Sequence, residues 1–261
     1  HVSAAPAERS GSVTDRADTL VLEHVTKVFE DGTRALEDVS LTVAPGELVS
    51  LVGPSGCGKT TILRLAAGLE QPTAGRVATS AESSISYVFQ DPTLLEWRTS
   101  LRNVELLGEL GPAVSRIEKG ERRRRAIQAL ESVGLGDAHA KFPRQLSGGM
   151  RMRVSLARAI VLDPELALFD EPFAAVDEIT RLSLQTLLQD LFAQRSFAGL
   201  FITHSVSEAV YLSNRVIVMG KGRIAAEIAV DHPHPRDPQW RYSAEFAELS
   251  GQGSRLLAEA A

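Results

Sequence analysis

Gly53-Pro54-Ser55-Gly56-Cys57-Gly58-Lys59-Thr60 has the residue spacing of a loop that grips a phosphate chain. In such a loop successive backbone N–H groups point inward at the α- and β-phosphates. Lys59 then reaches the β/γ oxygens, and the Thr60 hydroxyl can coordinate magnesium. The string lies between an apolar run, Leu48-Val49-Ser50-Leu51-Val52, and a helical pattern from Thr61 to Ala67. The phosphates therefore meet a helix N-terminus with its partial positive charge. The bland alternative is a glycine turn that happens to contain lysine, and the strand, loop, helix context argues against it.

Four further places carry chemistry compatible with that loop. Leu166-Ala167-Leu168-Phe169-Asp170-Glu171 is an apolar run ending in two carboxylates, the pattern of a central strand delivering acids to a sheet edge. Alone, such a pair is ordinarily a loop start or helix cap. Beside a phosphate loop, Asp170 reads as a magnesium-shell residue and Glu171 as the base that orients an attacking water. His204 ends the apolar run 199–203 and brings an imidazole to the same edge, in reach of the γ-phosphate or the water. Gln90 ends the run Ile85-Ser86-Tyr87-Val88-Phe89 and can touch both magnesium and water, although a polar residue opening the Asp91-Pro92 turn is an equal reading. Ser147-Gly148-Gly149 precedes a helical pattern over Met150–Ile160, so Ser147 is an N-cap and the following amides form an anion site.

The elements that must position these groups follow from periodicity. Short β-type segments at 20–25, 36–43 and 47–52 are split by Asp31-Gly32 and Pro45-Gly46 turns, which suggests an antiparallel layer leading into the phosphate-loop strand. A helix is expected at 58–69 and further strands at 76–79 and 85–89. From about 91 to 163 the character is helical, with segments at 101–109, 118–133 and 149–162, a lobe inserted into the core. Strand and helix alternation then resumes to about residue 230, which implies a parallel sheet covered by helices. Residues 231–261 read as a linker, His232-Pro233-His234-Pro235-Arg236-Asp237-Pro238, and a short helix over 244–257. Residues 1–18 read as a disordered leader, and the initial His as a start inside a longer reading frame.

At 261 residues and 44% apolar content the chain holds one catalytic copy, too short for two full nucleotide-binding domains. A formal net charge of −5 gives no global drive toward nucleic acid, and no nucleic-acid partner is expected. Arg122-Arg123-Arg124-Arg125 spreads around a helix and forms no stripe. The single cysteine, Cys57, excludes an internal disulfide; at a helix N-terminus its thiol is expected to alkylate, and nucleotide to slow that reaction. No segment approaches the ~18 apolar residues of a membrane span, so the chain is expected to be soluble or peripheral.

With all of these in order, Leu146-Ser147-Gly148-Gly149 included, residues 20–230 resemble the ATP-binding cassette (ABC) family. The resemblance implies an α/β fold: a P-loop NTPase core, with a RecA-like parallel sheet plus an antiparallel β layer, carrying an inserted helical subdomain. It implies ATP and Mg²⁺ as cofactors, and a head-to-tail dimer in which Ser147 and Gly149 of one copy close over ATP held by Lys59, Thr60 and Thr61 of the other. Phe29 matches the aromatic that stacks on adenine, and Ala174-Ala175-Val176-Asp177 resembles the family's D-loop, keeping the acid while losing the usual serine. Ser205 replaces the more frequent aspartate after the switch histidine.

Three strings resemble the nitrate/sulfonate/taurine importers within that family: 90–97, 208–216 and the Pro-Arg-Asp of 235–237. The implied partners are a second copy, transmembrane permease subunits and, indirectly, a periplasmic or lipoprotein solute-binding protein. The implied place is the cytoplasmic face of the membrane. A cassette ATPase acting on ribosomes or DNA, and the motor of a lipid-moving complex, are the competing readings.

Overall fold

The computed structural model describes residues 18–80, 84–110 and 117–260. The expected leader therefore lies outside the described residues, except Asp18. Five parallel strands and one antiparallel edge strand make the larger sheet, in the order β5 (Ile85–Val88), β6 (Leu166–Asp170), β7 (Ala198–Ile202), β3 (Leu48–Val52), β8 (Arg215–Gly220), β9 (Arg223–Ala229). β3 and β7 are buried at every position, which is why they read as continuous apolar runs with no alternation. β9, the edge, alternates instead.

The smaller sheet is antiparallel, ordered β2 (Arg34–Val43), β1 (Leu20–Val28), β4 (Ala74–Thr79). The segment at 74–79 thus joins the antiparallel layer, whereas β3 belongs to the parallel sheet that the first layer covers. Period-2 alternation divides the core in two. Val49, Leu51, Leu200 and Ile202 face the antiparallel sheet and α1 (Lys59–Ala66), together with Leu22, Val39 and Ile62. Leu48, Val52, Phe169 and Phe201 face the opposite way, into the remaining helices.

Those helices are α2 (Ser100–Glu105), α3 (Lys119–Ser132) and α4 (Gly148–Ile160), which pack on one another, then α5 (Glu178–Arg195), α6 (Val206–Leu212) and α7 (Ala244–Ala260). Side-chain caps fix where most of them start: Thr99, Glu118, Ser147, Asp177 and Ser205 each accept a bond from a first-turn amide. The arginine run lies on α3 and is paired locally, with Arg122 Nε buried and without a partner. Arg124 and Arg125 pair with Glu121, Arg122 donates to the Gly108 carbonyl, and Arg123 lies 4.0 Å from Glu105.

The stretch read as a linker is packed into the body of the protein. Arg236 is 2% exposed, and its guanidinium donates to the carbonyls of Val210, Tyr211, Val230 and His232 at 2.6–3.3 Å. It also faces the Trp240 ring at 5.2 Å. Prolines in sequence suggested solvent; here Arg236 ties the segment to α6, and the helix expected over 244–257 runs on to Ala260, 17 residues in all.

Burial first, then the charges of Arg236 and His232, hold His234 down to about 4, below the ordinary imidazole range. Its Nδ1 bonds Gln189 Oε1 at 2.7 Å. The neutral form is the one folded, so the unfolded chain binds the extra proton between the ordinary imidazole value and 4. Stability is complete above that ordinary value and is lost as pH falls toward 4, with solvent screening trimming its size. We expect Tm to fall more steeply over this window for the wild type than for His234→Asn; parallel curves would remove His234 as a cause.

Candidate functional site

The phosphate loop connects β3 to α1 and is shaped by glycines for two distinct reasons. Gly58 has φ 101° and leaves no room for a Cβ, which would lie 2.5 Å from the Ala35 carbonyl oxygen. Gly53 is needed for space alone, since a Cβ there would meet Cys57 Sγ at 2.6 Å. Lys59 is 5% exposed and folded back on the loop, donating from Nζ to the carbonyls of Gly53 and Pro54 at 2.8 and 3.0 Å.

Ser55, Gly56, Gly58, Lys59, Thr60 and Thr61 line a cleft of about 360 Å³ with Phe29, Glu171 and His204. Gly53, Pro54 and Cys57 do not line it. Cys57 turns its thiol into the core, 4% exposed, and spends its amide on the Pro54 carbonyl. Alkylation protected by nucleotide therefore loses its premise: the sulfur is shielded by packing, which sequence position at a helix start does not reveal. At the cleft's other end Phe29 is half-buried, with Lys27 Nζ 5.1 Å from its ring centre.

Adjacent parallel strands deliver the acids and the imidazole. Asp170 on β6 is in register with Ile202 on β7, so Glu171 and His204 leave the sheet side by side. His204 Nε2 lies 2.6 Å from Glu171 Oε1. Glu171 is held at φ 48°, a left-handed conformation rare outside glycine, by its amide bond to the Ile202 carbonyl and its own carbonyl's bond from Ala174. Sequence placed both groups at this edge, but not in contact with each other.

Asp170 reaches Thr60 Oγ1 at 3.3 Å, and a residue missed in the sequence, Tyr87, donates its hydroxyl to the other carboxylate oxygen at 3.0 Å. Tyr87 sits on β5, the strand beside β6, and burial followed by the Asp170 charge raises its phenol further, so it stays a donor. The sequence showed only a tyrosine near the end of a strand; that this strand lies beside the acid strand is a fact of the structure. A hydroxyl and a carboxylate are hard oxygen donors suited to Mg²⁺. Among the described residues no group of three or more His, Cys, Asp or Glu could hold a metal by itself, so this pair fits an ion whose remaining ligands come from phosphates and water.

Gln90 is not brought to this pair. It is exposed and lines a neighbouring groove of about 660 Å³ with Asp91, Pro92, Thr93, Leu94, Glu96, Arg151 and Ala175. Ser147, Gly148 and Gly149 also lie outside the cleft. Ser147 caps α4 by accepting from the Met150 amide at 3.2 Å, and it is exposed together with Gly148. Gly149 is packed against α5, where a Cβ would strike Thr180 Cγ2 at 2.5 Å. The same Thr180 donates to Asp177 from both its amide and its hydroxyl, at 3.0 and 2.7 Å, and these bonds hold the exposed Asp177 carboxyl below its usual range. Asp177 thus caps α5 and fixes the Thr180 side chain that packs on Gly149.

Phosphate loop, carboxylates and imidazole converging on the C-terminal edge of a parallel sheet define a phosphate-loop nucleotide hydrolase. The chain belongs to the ABC transporter family, whose profile matches residues 36–174, and it is an ATP-hydrolysing enzyme. It is 44% identical over 248 residues, 93% of this chain and 95% of the relative, to the aliphatic sulfonates import ATP-binding protein SsuB of Mycobacterium avium (strain 104). It is 43% identical over 240 residues, 88% and 87% of the two chains, to an uncharacterized ABC transporter ATP-binding protein of Methanocaldococcus jannaschii. Among solved structures, the dimeric ATP-binding cassette MJ0796 in a post-hydrolysis state bound to ADP and Pi superposes with TM-score 0.71 at 31% identity, covering 82% of this chain and 100% of that one. The fold alone is shared with cbiO1 of Clostridium perfringens, at TM-score 0.75 and 23% identity over 93% and 98% of the chains.

Proposed function

We propose that this chain is the motor of an importer that takes up a small organic or inorganic anion of the nitrate, sulfonate or taurine class, working as a head-to-tail pair at the cytoplasmic face of the membrane. The observation that carries the shared site is its incompleteness in one copy. The cleft holds the loop, Glu171 and His204, while Ser147 and Gly148 face solvent elsewhere with no Cβ contact to explain Gly148. A second copy would bring its Ser147, Gly148 and Gly149, at the start of α4, over the phosphates. The anion class rests on the sulfonate-import names of the relatives.

In this reading Lys59 exchanges its loop carbonyls for phosphate oxygens, and Phe29 offers a ring face to the adenine. Thr60 and Asp170 would hold Mg²⁺, with Gln90 added if its loop moves inward, and that ion supplies neutralisation of charge developing on the phosphates. Tyr87 keeps the Asp170 carboxylate aimed at Thr60. Glu171 orients and partly deprotonates the water, while His204 fixes the Glu171 carboxylate through Nε2. No helix among the described residues is long and apolar enough to cross a membrane, so we assign the pathway to separate permease subunits whose cytoplasmic helices would seat in the Gln90 groove.

Purifying the chain from native membranes is expected to bring hydrophobic subunits with it, and ligand screening of the associated solute-binding protein to select an anion of this class. Co-purification with ribosomes or DNA would replace the importer with a nucleic-acid-linked ATPase, and a lipid cargo would move it to a lipid-moving complex.

A further inference from the structure

His204 sits between two residues that are both bonded to one buried residue, Thr203 to the Glu208 carboxylate and Ser205 to the Glu208 amide. Thr203 donates its hydroxyl to Glu208 Oε2, and the Ser205 amide donates to Thr203 Oγ1 at 3.0 Å. The Glu208 amide closes the knot by donating to Ser205 Oγ at 3.2 Å. Glu208 does not line the phosphate-loop cleft; it lines a separate pocket with Glu171 and His204. Its other oxygen accepts from Gln185 Nε2 of α5 at 2.9 Å, and Gln185 Oε1 accepts from Arg241 Nη2 at 2.8 Å. Thr203, Glu208 and Gln185 are 4%, 6% and 4% exposed. Arg241 belongs to the 3-10 turn Pro238–Tyr242, and its guanidinium lies 3.2 Å over the Tyr211 ring.

The chain of bonds has a fixed direction. Arginine only donates, so Gln185 must present its oxygen to Arg241 and its NH₂ to Glu208. At the other end Thr203 Oγ1 accepts from the Ser205 amide while its hydrogen goes to the Glu208 carboxylate, the direction that an ionised acid at position 208 imposes. Only an acceptor on both arms keeps this direction; a donor at position 208 facing the Gln185 NH₂ is left unmade at full cost, and one facing Thr203 reverses the threonine bond. We propose that Glu208 is a positioning residue for the Glu171–His204 pair and that Arg241 holds it through Gln185, so that the C-terminal segment sets the rate of ATP hydrolysis. The inference rests on reading Glu171 and His204 as the hydrolytic pair.

A reciprocal exchange tests it on the full chain. Glu208→Gln can give its oxygen to Gln185 only by turning its NH₂ on Thr203 Oγ1, which reverses the threonine bond beside His204 and removes the charge from both arms; it should lower kcat about 10-fold while KM for ATP stays within about 2-fold, since a displaced His204 affects chemistry and not nucleotide capture. Gln185→Glu alone places two buried carboxylates together and should do at least as much harm. With both substitutions, the amide now at position 208 offers its NH₂ to the carboxylate now at position 185, and that carboxylate still accepts from Arg241. The amide oxygen at position 208 accepts from Thr203, so the double variant should return to within about 2-fold of the wild-type kcat. A double variant no better than its parents, or a Glu208→Gln chain with unchanged kcat, overturns the proposal. Arg241→Met keeps the Tyr211 face covered without donating, folds regardless of the buried pair, and should lower kcat about 3-fold at constant KM; unchanged turnover removes the C-terminal segment from the relay. If instead Glu171→Gln turns over normally while the reciprocal rescue holds, the relay stands and the hydrolytic pair must be reassigned.

Discussion

Glu171→Gln is expected to bind ATP and dimerise normally yet hydrolyse about 10²- to 10⁴-fold more slowly, the size of a lost general base. The substitution is close to isosteric, and the φ 48° backbone, fixed by the Ile202 and Ala174 bonds, does not change with it. The oxygen of the new amide can still accept from His204 Nε2, so the imidazole, 2.6 Å from Glu171 Oε1 in the wild type, keeps its place. What disappears is the second oxygen's capacity to take a proton from water. In the proposed reading nucleotide affinity belongs to Lys59, the loop amides and the α1 terminus, none of which depends on residue 171. Single-turnover hydrolysis measured beside ATP binding separates the two. A turnover near the wild-type rate would reject Glu171 as the base and pass the role to His204.

The parts legible in the sequence were those whose chemistry is local. Glycine and lysine spacing between 53 and 60, an apolar strand ending at Asp170-Glu171, and a serine before a glycine pair each carry their reason within a short stretch of chain. Uninterrupted apolar runs identified the buried strands because both faces of a parallel sheet are covered. Contacts set by strand register were not legible. The Glu171–His204 bond and the Tyr87 hydroxyl on Asp170 depend on β5, β6 and β7 lying side by side, and nothing in the sequence states their order. Residues 74–79 show the same limit, since a short strand does not announce which of two sheets it joins. The C-terminal segment misled for a compositional reason. His, Pro and Asp are the residues of a solvated linker, yet Arg236 is sequestered because backbone carbonyls around the end of α6 satisfy its guanidinium.

Mixing two dead proteins is expected to produce a live one. Ser147→Arg fills the exposed cap of α4 with a bulky cation and should abolish hydrolysis when every chain carries it, although its own loop, Glu171 and His204 are untouched. Lys59→Ala removes the ammonium proposed to grip the phosphates and should be equally inactive. In a two-fold pair each site takes its loop from one copy and its cap from the other. A heterodimer of the two variants therefore has one site with both defects and one with neither. Random pairing of equal amounts makes half the dimers mixed, so about a quarter of the wild-type number of intact sites should appear. ATPase activity rising from zero toward that level as the second variant is titrated in, and ATP-driven dimerisation seen only in the mixture, are the two readouts. Activity in a strictly monomeric preparation of the unaltered chain would show the cleft to be complete by itself, and the exposed Gly148 would then need another explanation.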